Sequence, residues 1–364
     1  MKKFFVSFFI FLFFNCQLLL AQPIVFKQYK GQNEGNLYYI NLQFVGVAVS
    51  ATVFLLPNDS NLGNPLYFQL QGKSDKDNFV TLQSDEEQIV TLVGKWSDGQ
   101  FQGEFTPSRN TTIQLDCERI QSENPMSFEK VYRHASQKLV PKDKNSPEAI
   151  IEMSVSLPND DQDEGVIAAY SNFYGWVTTD SLQKTPFEDQ MRVSMAEFLA
   201  QYAQMSTIEG EKGPSFQWIK SVNGSVLWLD DRFVNHDKQT YVFTGGAHGM
   251  EHVSLGIFDV NSMRFLTSAD IFELSSSEEL PIILTLVLKK QLEIEESQSL
   301  VSEGYFMDQI PVTENYCLTP VGILFHYNSY EIAPYSFGHT QILIPFDLVS
   351  ALIQPWFKEF FNNQ

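Results

Sequence analysis

The sequence predicts an α+β protein: an N-terminal antiparallel β meander or small barrel, followed by a domain of mixed strands and helices. Three observations predict it. Residues 24–117 read as short apolar stretches of alternating character, separated by turn residues. Apolar faces with helical period belong to the second half of the chain. The strands interleaved with those helices stand at hairpin spacing, which suits an α+β arrangement better than a doubly wound parallel sheet.

The first segment reads as an address. Lys2 and Lys3 precede an apolar run from Phe4 to Phe14, then Leu18, Leu19, Leu20 and Ala21, followed by Gln22 and Pro23. A charged start, an apolar stretch and a small residue at its end are the marks of a signal peptide over 1–21, cleaved between Ala21 and Gln22. An uncleaved anchor is the first alternative, because the run approaches the ~20 residues that span a bilayer. Asn15, Cys16 and Gln17 interrupt it, however. Lipidation at Cys16 is the second alternative, weakened by Asn15 where a small residue is usual. The expectation is an exported protein, periplasmic or extracellular, with no membrane span after the signal is removed, since no later run reaches 18 uncharged apolar residues.

Length and charge narrow the class further. A chain of 364 residues suits two or three domains. With 43% hydrophobic and 19% charged residues, most of it should fold. Its 24 basic against 44 acidic residues give a net charge of -20, and without residues 1–21 the balance is 22 against 44, or -22. Such a surface repels a phosphate backbone, so a nucleic-acid partner is excluded. Cys117 and Cys317 remain after the signal, and in an oxidising compartment such a pair invites a disulfide; two separately buried thiols are the alternative.

The β-rich domain is assigned to 22–125. Its strand candidates are Leu37 to Phe44, Val47 to Leu55, Leu66 to Leu70, Phe79 to Leu82, Ile89 to Trp96, Phe101 to Phe105 and Ile113 to Cys117. A barrel made of them is expected to be filled by its own side chains. Residues 126–147, with Pro141, Pro147 and little periodicity, read as a linker and entry into the second domain at 126–364. Ala149 to Leu157 reads as a strand. The acidic stretch Asn159 to Gly165 places its glycine at the seventh position and so misses the spacing of a calcium loop; it reads as a solvated turn.

Pro186 should open a helix to about Met205, with Phe187, Met191, Met195, Phe198 and Tyr202 on one face. Ser277 to Glu296 is a second helix, and Asp347 to Phe361 a third. Phe216 to Leu229, Phe233 to Phe243, His252 to Val260 and Tyr316 to Tyr327 are strand candidates.

Few motifs carry chemistry. His248-Gly249-Met250-Glu251-His252 matches the H-x-x-E-H pattern of zinc proteases, which requires a helix to put both imidazoles on one face. Glycines and an alternating pattern surround it, and an extended chain would hold the two histidines roughly 13 Å apart. Ser181-Leu182-Gln183-Lys184 matches S-x-x-K without its partner motifs. Asp230 and Asp231, adjacent on a strand candidate, would point to opposite faces. No catalytic residue, metal ligand or cofactor is therefore assigned.

Thr244-Gly245-Gly246-Ala247-His248-Gly249, Thr267 to Phe272, Tyr316 to Ile323 and Tyr330-Glu331-Ile332-Ala333-Pro334-Tyr335 occur in an order that resembles the extracytoplasmic domain of the RsiV family, over about the last 150 residues. Members of that family are anti-sigma factors whose outer domain binds lysozyme, and a similar domain accompanies the peptidoglycan deacetylase PdaC. The resemblance implies an RsiV-like fold and an envelope recognition module. Neither a cytosolic sigma-binding segment before the export signal nor a deacetylase domain is recognisable. The expected function is noncatalytic binding of a cell-wall component or a cationic protein such as lysozyme, with an envelope glycan or peptide hydrolase as the alternative. The candidate contacts are a loop formed by Thr244, Gly245, Gly246, His248 and Gly249, and a second segment with Tyr330, Glu331, Pro334 and Tyr335. Each also has a purely structural explanation, as a glycine turn held by a histidine or as a bend fixed by a proline.

Overall fold

The structure is a computed structural model that describes residues 21–57, 66–84, 89–159, 163–176, 185–205, 216–273 and 276–362. The stretch expected as a signal, up to residue 20, and Ser181 to Lys184 lie outside the described residues. Two compact units divide the chain, one up to Ser122 and one from Glu123.

The first unit is a closed antiparallel barrel of eight strands. They are β1 (Val25–Asn33), β2 (Asn36–Val45), β3 (Ala48–Leu56), β4 (Leu66–Ser74), β5 (Phe79–Gln83), β6 (Thr91–Trp96), β7 (Gln100–Ser108) and β8 (Thr111–Ile120). Seven of these are the strands expected from the sequence; the eighth, β1, shows no clear alternation because Lys27, Gln28, Lys30 and Gln32 flank its one fully buried ring, Tyr29. β1 closes the barrel by pairing with β2 on one side and β8 on the other, where Gly31 faces Cys117. Inward residues alternate along each strand and fill the interior, among them Tyr29, Tyr38, Leu42, Phe101, Phe105 and Cys117.

In the second unit a sheet runs in the order β9 (Phe128–Lys138), β10 (Glu148–Pro158), β11 (Trp218–Leu229), β12 (Phe233–Phe243), β13 (Met250–Asp259) and β14 (Arg264–Phe265). The segment 126–147 is thus not mainly a linker. Eleven of its residues form β9, paired antiparallel with β10 over its whole length. Buried Phe128 and Val131 are too few to give the strand a visible alternation.

β10 and β11 are parallel, and a parallel pair needs a long crossover, which here carries two helices. α1 (Glu164–Tyr174) begins inside the supposed acidic turn. Asp163 caps it by accepting from Gly165 N–H, and Gly175 ends it in the left-handed conformation. α2 (Phe187–Gln204) buries Phe187, Met191, Met195, Phe198 and Tyr202, the face read from the sequence. Between helix and sheet, Tyr170 Oη lies 2.7 Å from His236 Nε2, ringed by Phe128, Phe258 and Phe265.

Asp230 and Asp231 lie in the β11–β12 turn, not within a strand. The Asp230 carboxylate accepts from Arg232 and Phe233 N–H, and Asp231 accepts from Glu123 N–H. Burial raises Asp230 to about 6.

After α3 (Ser268–Ile271) and α4 (Ser276–Gln291), a second, three-stranded antiparallel sheet forms from β15 (Tyr316–Thr319), β16 (Gly322–Tyr327) and β17 (Thr340–Pro345). Tyr316 to Tyr327, read as one strand, is a hairpin folded at Pro320 and Val321. The expected third helix is two short ones, α5 (Phe346–Val349) and α6 (Pro355–Asn362). The chain between them pairs Ile353 with Phe272 and so cannot stay helical.

Of the two alternatives read from the sequence, a bridge and two separately buried thiols, Cys117 and Cys317 stand as the second: both are free and both are buried. Each thiol is committed to the interior of its own unit, Cys117 in the barrel core and Cys317 on β15. Among the described residues no helix is long and apolar enough to cross a membrane.

Candidate functional site

The two segments singled out in the sequence meet in the second unit. Thr244–Gly249 is the hairpin loop from β12 to β13. Gly245 and Gly246 both take positive φ, 98° and 99°, a conformation costly for a residue with a Cβ. Gly249 is needed for a different reason: a Cβ there would lie 2.4 Å from the Tyr241 ring. These glycines present His248 at the tip, where its ring stacks on Tyr335 with centroids 4.2 Å apart and planes 22° from parallel. Tyr335 Oη also donates to the Gly249 carbonyl at 3.3 Å.

The second segment follows β16. Tyr330 has φ 73°, unusual for a bulky residue, and is 51% exposed. Three bonds fix the bend around it: Tyr330 N–H donates to the Ala333 carbonyl, and Glu331 accepts from both the backbone and side-chain N–H groups of Asn328. Pro334 then starts the short 3-10 turn Tyr335–Phe337. Tyr330 lies 5.7 Å from the Tyr335 ring, and Phe337 lies 5.4 Å from Tyr305. Tyr330, Phe337 and Phe306 are each about half exposed. Tyr330, Tyr335 and His248 thus form one group of rings, and Phe337, on the same short turn as Tyr335, packs on Tyr305.

Asparagines absent from the sequence reading hold these rings to the sheet. Asn328 Oδ1 accepts from Val253 N–H at 2.7 Å, and its Nδ2 donates to the Val253 carbonyl at 3.1 Å. Asn315 accepts from Leu255 N–H at 2.6 Å and donates to Val253 at 2.8 Å. Side-chain amides here replace a neighbouring strand along the outer edge of β13. Asn235 does the same for Leu318 N–H. No local period betrays such pins, because each joins residues 60 or more positions apart.

Thr267 to Phe272, another part of the resemblance, has a structural role. Thr267 and Asp270 form a capping box on α3, and Asp270 also takes a bidentate bond from Arg264.

Glu251 and the histidines form a separate chain beside these rings. Gln341 Nε2 lies 3.3 Å from His326 Nδ1, His326 Nε2 lies 3.1 Å from His339 Nδ1, and His339 Nε2 lies 3.9 Å from the Glu251 carboxylate. Burial pushes His326 down to about 3; charge on His339 and His252 adds to this and an Asn328 hydrogen bond opposes it. His339 is lowered too, first by burial, against the pull of Glu251. The H-x-x-E-H residues part company: His248 stacks on Tyr335, Glu251 faces His339, and His252 is exposed on β13. Among the described residues no group of three or more histidine, cysteine or acidic side chains is arranged to hold a metal ion.

The two stretches of sequence that supply the rings around Tyr335 are acidic. Between Lys238 and Arg264, and again between Lys290 and Lys358, the sequence has no lysine or arginine. The second stretch carries eight carboxylates, Glu303, Asp308 and Glu331 among them, and the first carries Glu251. Each of those rings comes from one of these two stretches.

Residues 269–347 match the model of DUF3298, a family described as of unknown function. No curated protein matches the chain. Solved structures similar to the chain include two of this family. A DUF3298-family protein of Bacteroides fragilis is 21% identical, with a TM-score of 0.56, over 64% of this chain and 96% of its own. A DUF3298-family protein of Pseudomonas aeruginosa is 19% identical, with a TM-score of 0.44, over the same shares. The matched stretch includes Tyr330 to Tyr335 but not the Thr244–Gly249 loop that joins it. Residues 269–347 are thus similar in sequence to the DUF3298 family, and the chain is similar in fold to the Bacteroides protein.

Proposed function

We propose that this chain is an exported envelope recognition module, noncatalytic, whose binding face is the aromatic surface around His248 and Tyr335 and whose partner is a cationic protein. One observation carries the reading: an exposed cluster of rings is assembled from two stretches that have no lysine or arginine but supply Glu251, Glu303, Asp308 and Glu331. Exposed aromatics give a partner apolar area and ring faces for its cations, while carboxylates in the same stretches raise its rate of encounter. Export rests on the signal-like start, and the cationic partner also on the resemblance to the lysozyme-binding family. A cell-wall glycan would use the same rings by stacking and could donate hydroxyls to the carboxylates, but would gain no long-range attraction from them.

The test is titration of the purified protein with lysozyme at low and near-physiological salt, beside an unrelated protein of similar net charge. The Debye length is about 8 Å at physiological ionic strength, so recognition through contact should persist there with a defined stoichiometry. A Tyr330→Ala, Phe337→Ala double variant should lose it. Binding that fades with salt in step with the control, or that the double variant retains, overturns the reading.

A further inference from the structure

We propose that the face of the large sheet turned away from α1 and α2 is a second binding surface, one that takes an uncharged oligosaccharide chain. It does not rest on the proposed function and uses none of the rings assigned there.

Alternation decides what this face carries. On β11 the Trp218 ring packs on Phe198 and Tyr202 of α2, and the Lys220 amine lies over Phe198, so Ser221, Asn223 and Ser225 project from the other side. β11 is a central strand, between β10 and β12, and Asn223-Gly224 is a poor choice for its middle. Gly224 has an internal reason, since a Cβ there would stand 2.2 Å from Tyr174 Oη. Asn223 has none: among the described residues its side chain bonds only Ser221, on its own strand. A residue that contradicts its strand and is not repaid by the fold marks a site.

Register carries the face across four strands. One row runs Tyr132, Ser154, Asn223 and Gln239. The next runs His134, Glu152, Ser221 and Tyr241. Asn235, on the same face as Gln239, accepts from Leu318 N–H, so the three-stranded sheet stands over that end of the face. Ser154, Ser221, Asn223, Gln239 and Tyr241 are half-buried, as the floor of a groove would be.

The unused hydrogen-bonding capacity of the rows defines the ligand. Asn223 Nδ2 donates to Ser221 at 3.2 Å and Gln239 Nε2 to Asp237 at 3.1 Å, which leaves both amide oxygens without a donor among the described residues. The Ser154 and Tyr241 hydroxyls make no hydrogen bond among those residues, and the Glu152 carboxylate has His134 at 3.9 Å. A ligand that only accepts, such as a phosphate, offers nothing to the amide oxygens; one that only donates, such as an ammonium, leaves the hydroxyl protons unbonded. Lys130, whose amine donates to the Gly224 carbonyl, adds a positive charge in the adjoining row and disfavours a cation further. Sugar hydroxyls do both and carry no charge. A β-linked chain of pyranoses is a flat ribbon whose step per sugar is close to the ~4.8 Å between strands, so successive sugars meet successive strands of a row.

The experiment is an NMR titration of the purified protein with the tetramer of β-1,4-linked N-acetylglucosamine and, separately, of β-1,4-linked glucose. The expected result is saturable shifts, at millimolar sugar, at Ser154, Ser221, Asn223 and Gln239 and in the side-chain amides of the last two. Equal shifts from both sugars assign the contacts to ring hydroxyls; shifts from the N-acetylated chain alone add its acetamido groups; either supports the proposal. Gln239→Ala and Asn223→Val each remove one amide, and each should weaken binding several-fold or more. Asn223→Val also suits a strand, so its denaturant melt should show no loss of stability. The proposal is overturned if neither sugar shifts these residues, if the shifts gather at Tyr330 and Phe337 instead, or if both variants bind as well as the unmodified protein. Lysozyme binding should survive Asn223→Val, and sugar binding should survive the Tyr330→Ala, Phe337→Ala change, so failure of this surface and failure of the proposed binding face can be told apart.

Discussion

His248 and Tyr335 are separated by 87 positions in the chain, yet their rings stack with centroids 4.2 Å apart, and the Tyr335 hydroxyl donates to the Gly249 carbonyl next to His248. The contact joins the hairpin loop of one sheet to the turn leading into a strand of the other. Tyr335→Ala removes both links. The expected cost is about 0.5–1.5 kcal/mol for the ring pair, with faster amide exchange across Ala247 to Met250. Tyr335→Phe keeps the stack and loses only the hydroxyl, so denaturant melts of the two variants should separate the terms. Equal loss in both would mean that the ring contact contributes nothing.

Gly249→Ala should act by crowding. The added methyl would stand 2.4 Å from the Tyr241 ring, which must swing aside, and overpacking of this kind typically costs 1–3 kcal/mol. Because Tyr241 neighbours the loop, the variant should also displace His248 from Tyr335. A crystal structure with the two rings still stacked and an unchanged melt would contradict this.

Much of the fold was legible because it repeats locally. The α2 face and seven of the barrel strands announce themselves through periods of 3.6 and 2. β1 and β9 did not, since polar residues occupy their outward positions and few apolar ones mark the inward side. The site was half legible. Consecutive glycines before His248 and the Tyr330 bend stand out as odd local chemistry, whereas Asn315, Asn328, His326 and His339 look ordinary in sequence. Their roles exist only once β13, β16 and β17 are brought together.

Asp270 should govern part of the acid limb of stability. Its hydrogen bond from Arg264, helped by Thr267, holds its carboxyl well below the usual carboxylate range. A depressed folded-state value means that the ionised form is preferred when folded. Its contribution is therefore complete above about pH 3.9, the unfolded value, and is lost as pH falls toward the lower folded one. Asp270→Asn keeps one oxygen that can accept from Thr267 N–H but loses the bidentate bond from Arg264. Chemical melts between pH 6 and pH 2 should show the variant less stable at pH 6, with the gap narrowing below pH 4. A gap of constant size across that range would mean that the charge of the carboxylate contributes nothing.

Cys117 and Cys317 give the last prediction. Both are free, both lie at 0% exposure, and burial pushes the Cys117 thiol up to about 12 and the Cys317 thiol strongly upward as well. Thiolate is the reactive form, so neither side chain should be attacked at neutral pH while the fold is intact. Purified protein lacking residues 1–21 and never exposed to reductant should therefore release no colour with Ellman's reagent in buffer. In guanidinium chloride it should titrate two thiols per chain. Titration of none under denaturing conditions would mean that the two cysteines are oxidised, a bridge that the burial of each in its own core argues against. Rapid reaction of one thiol in the native state would instead mark local opening, and amide exchange on β8 and β15 would show which unit opens.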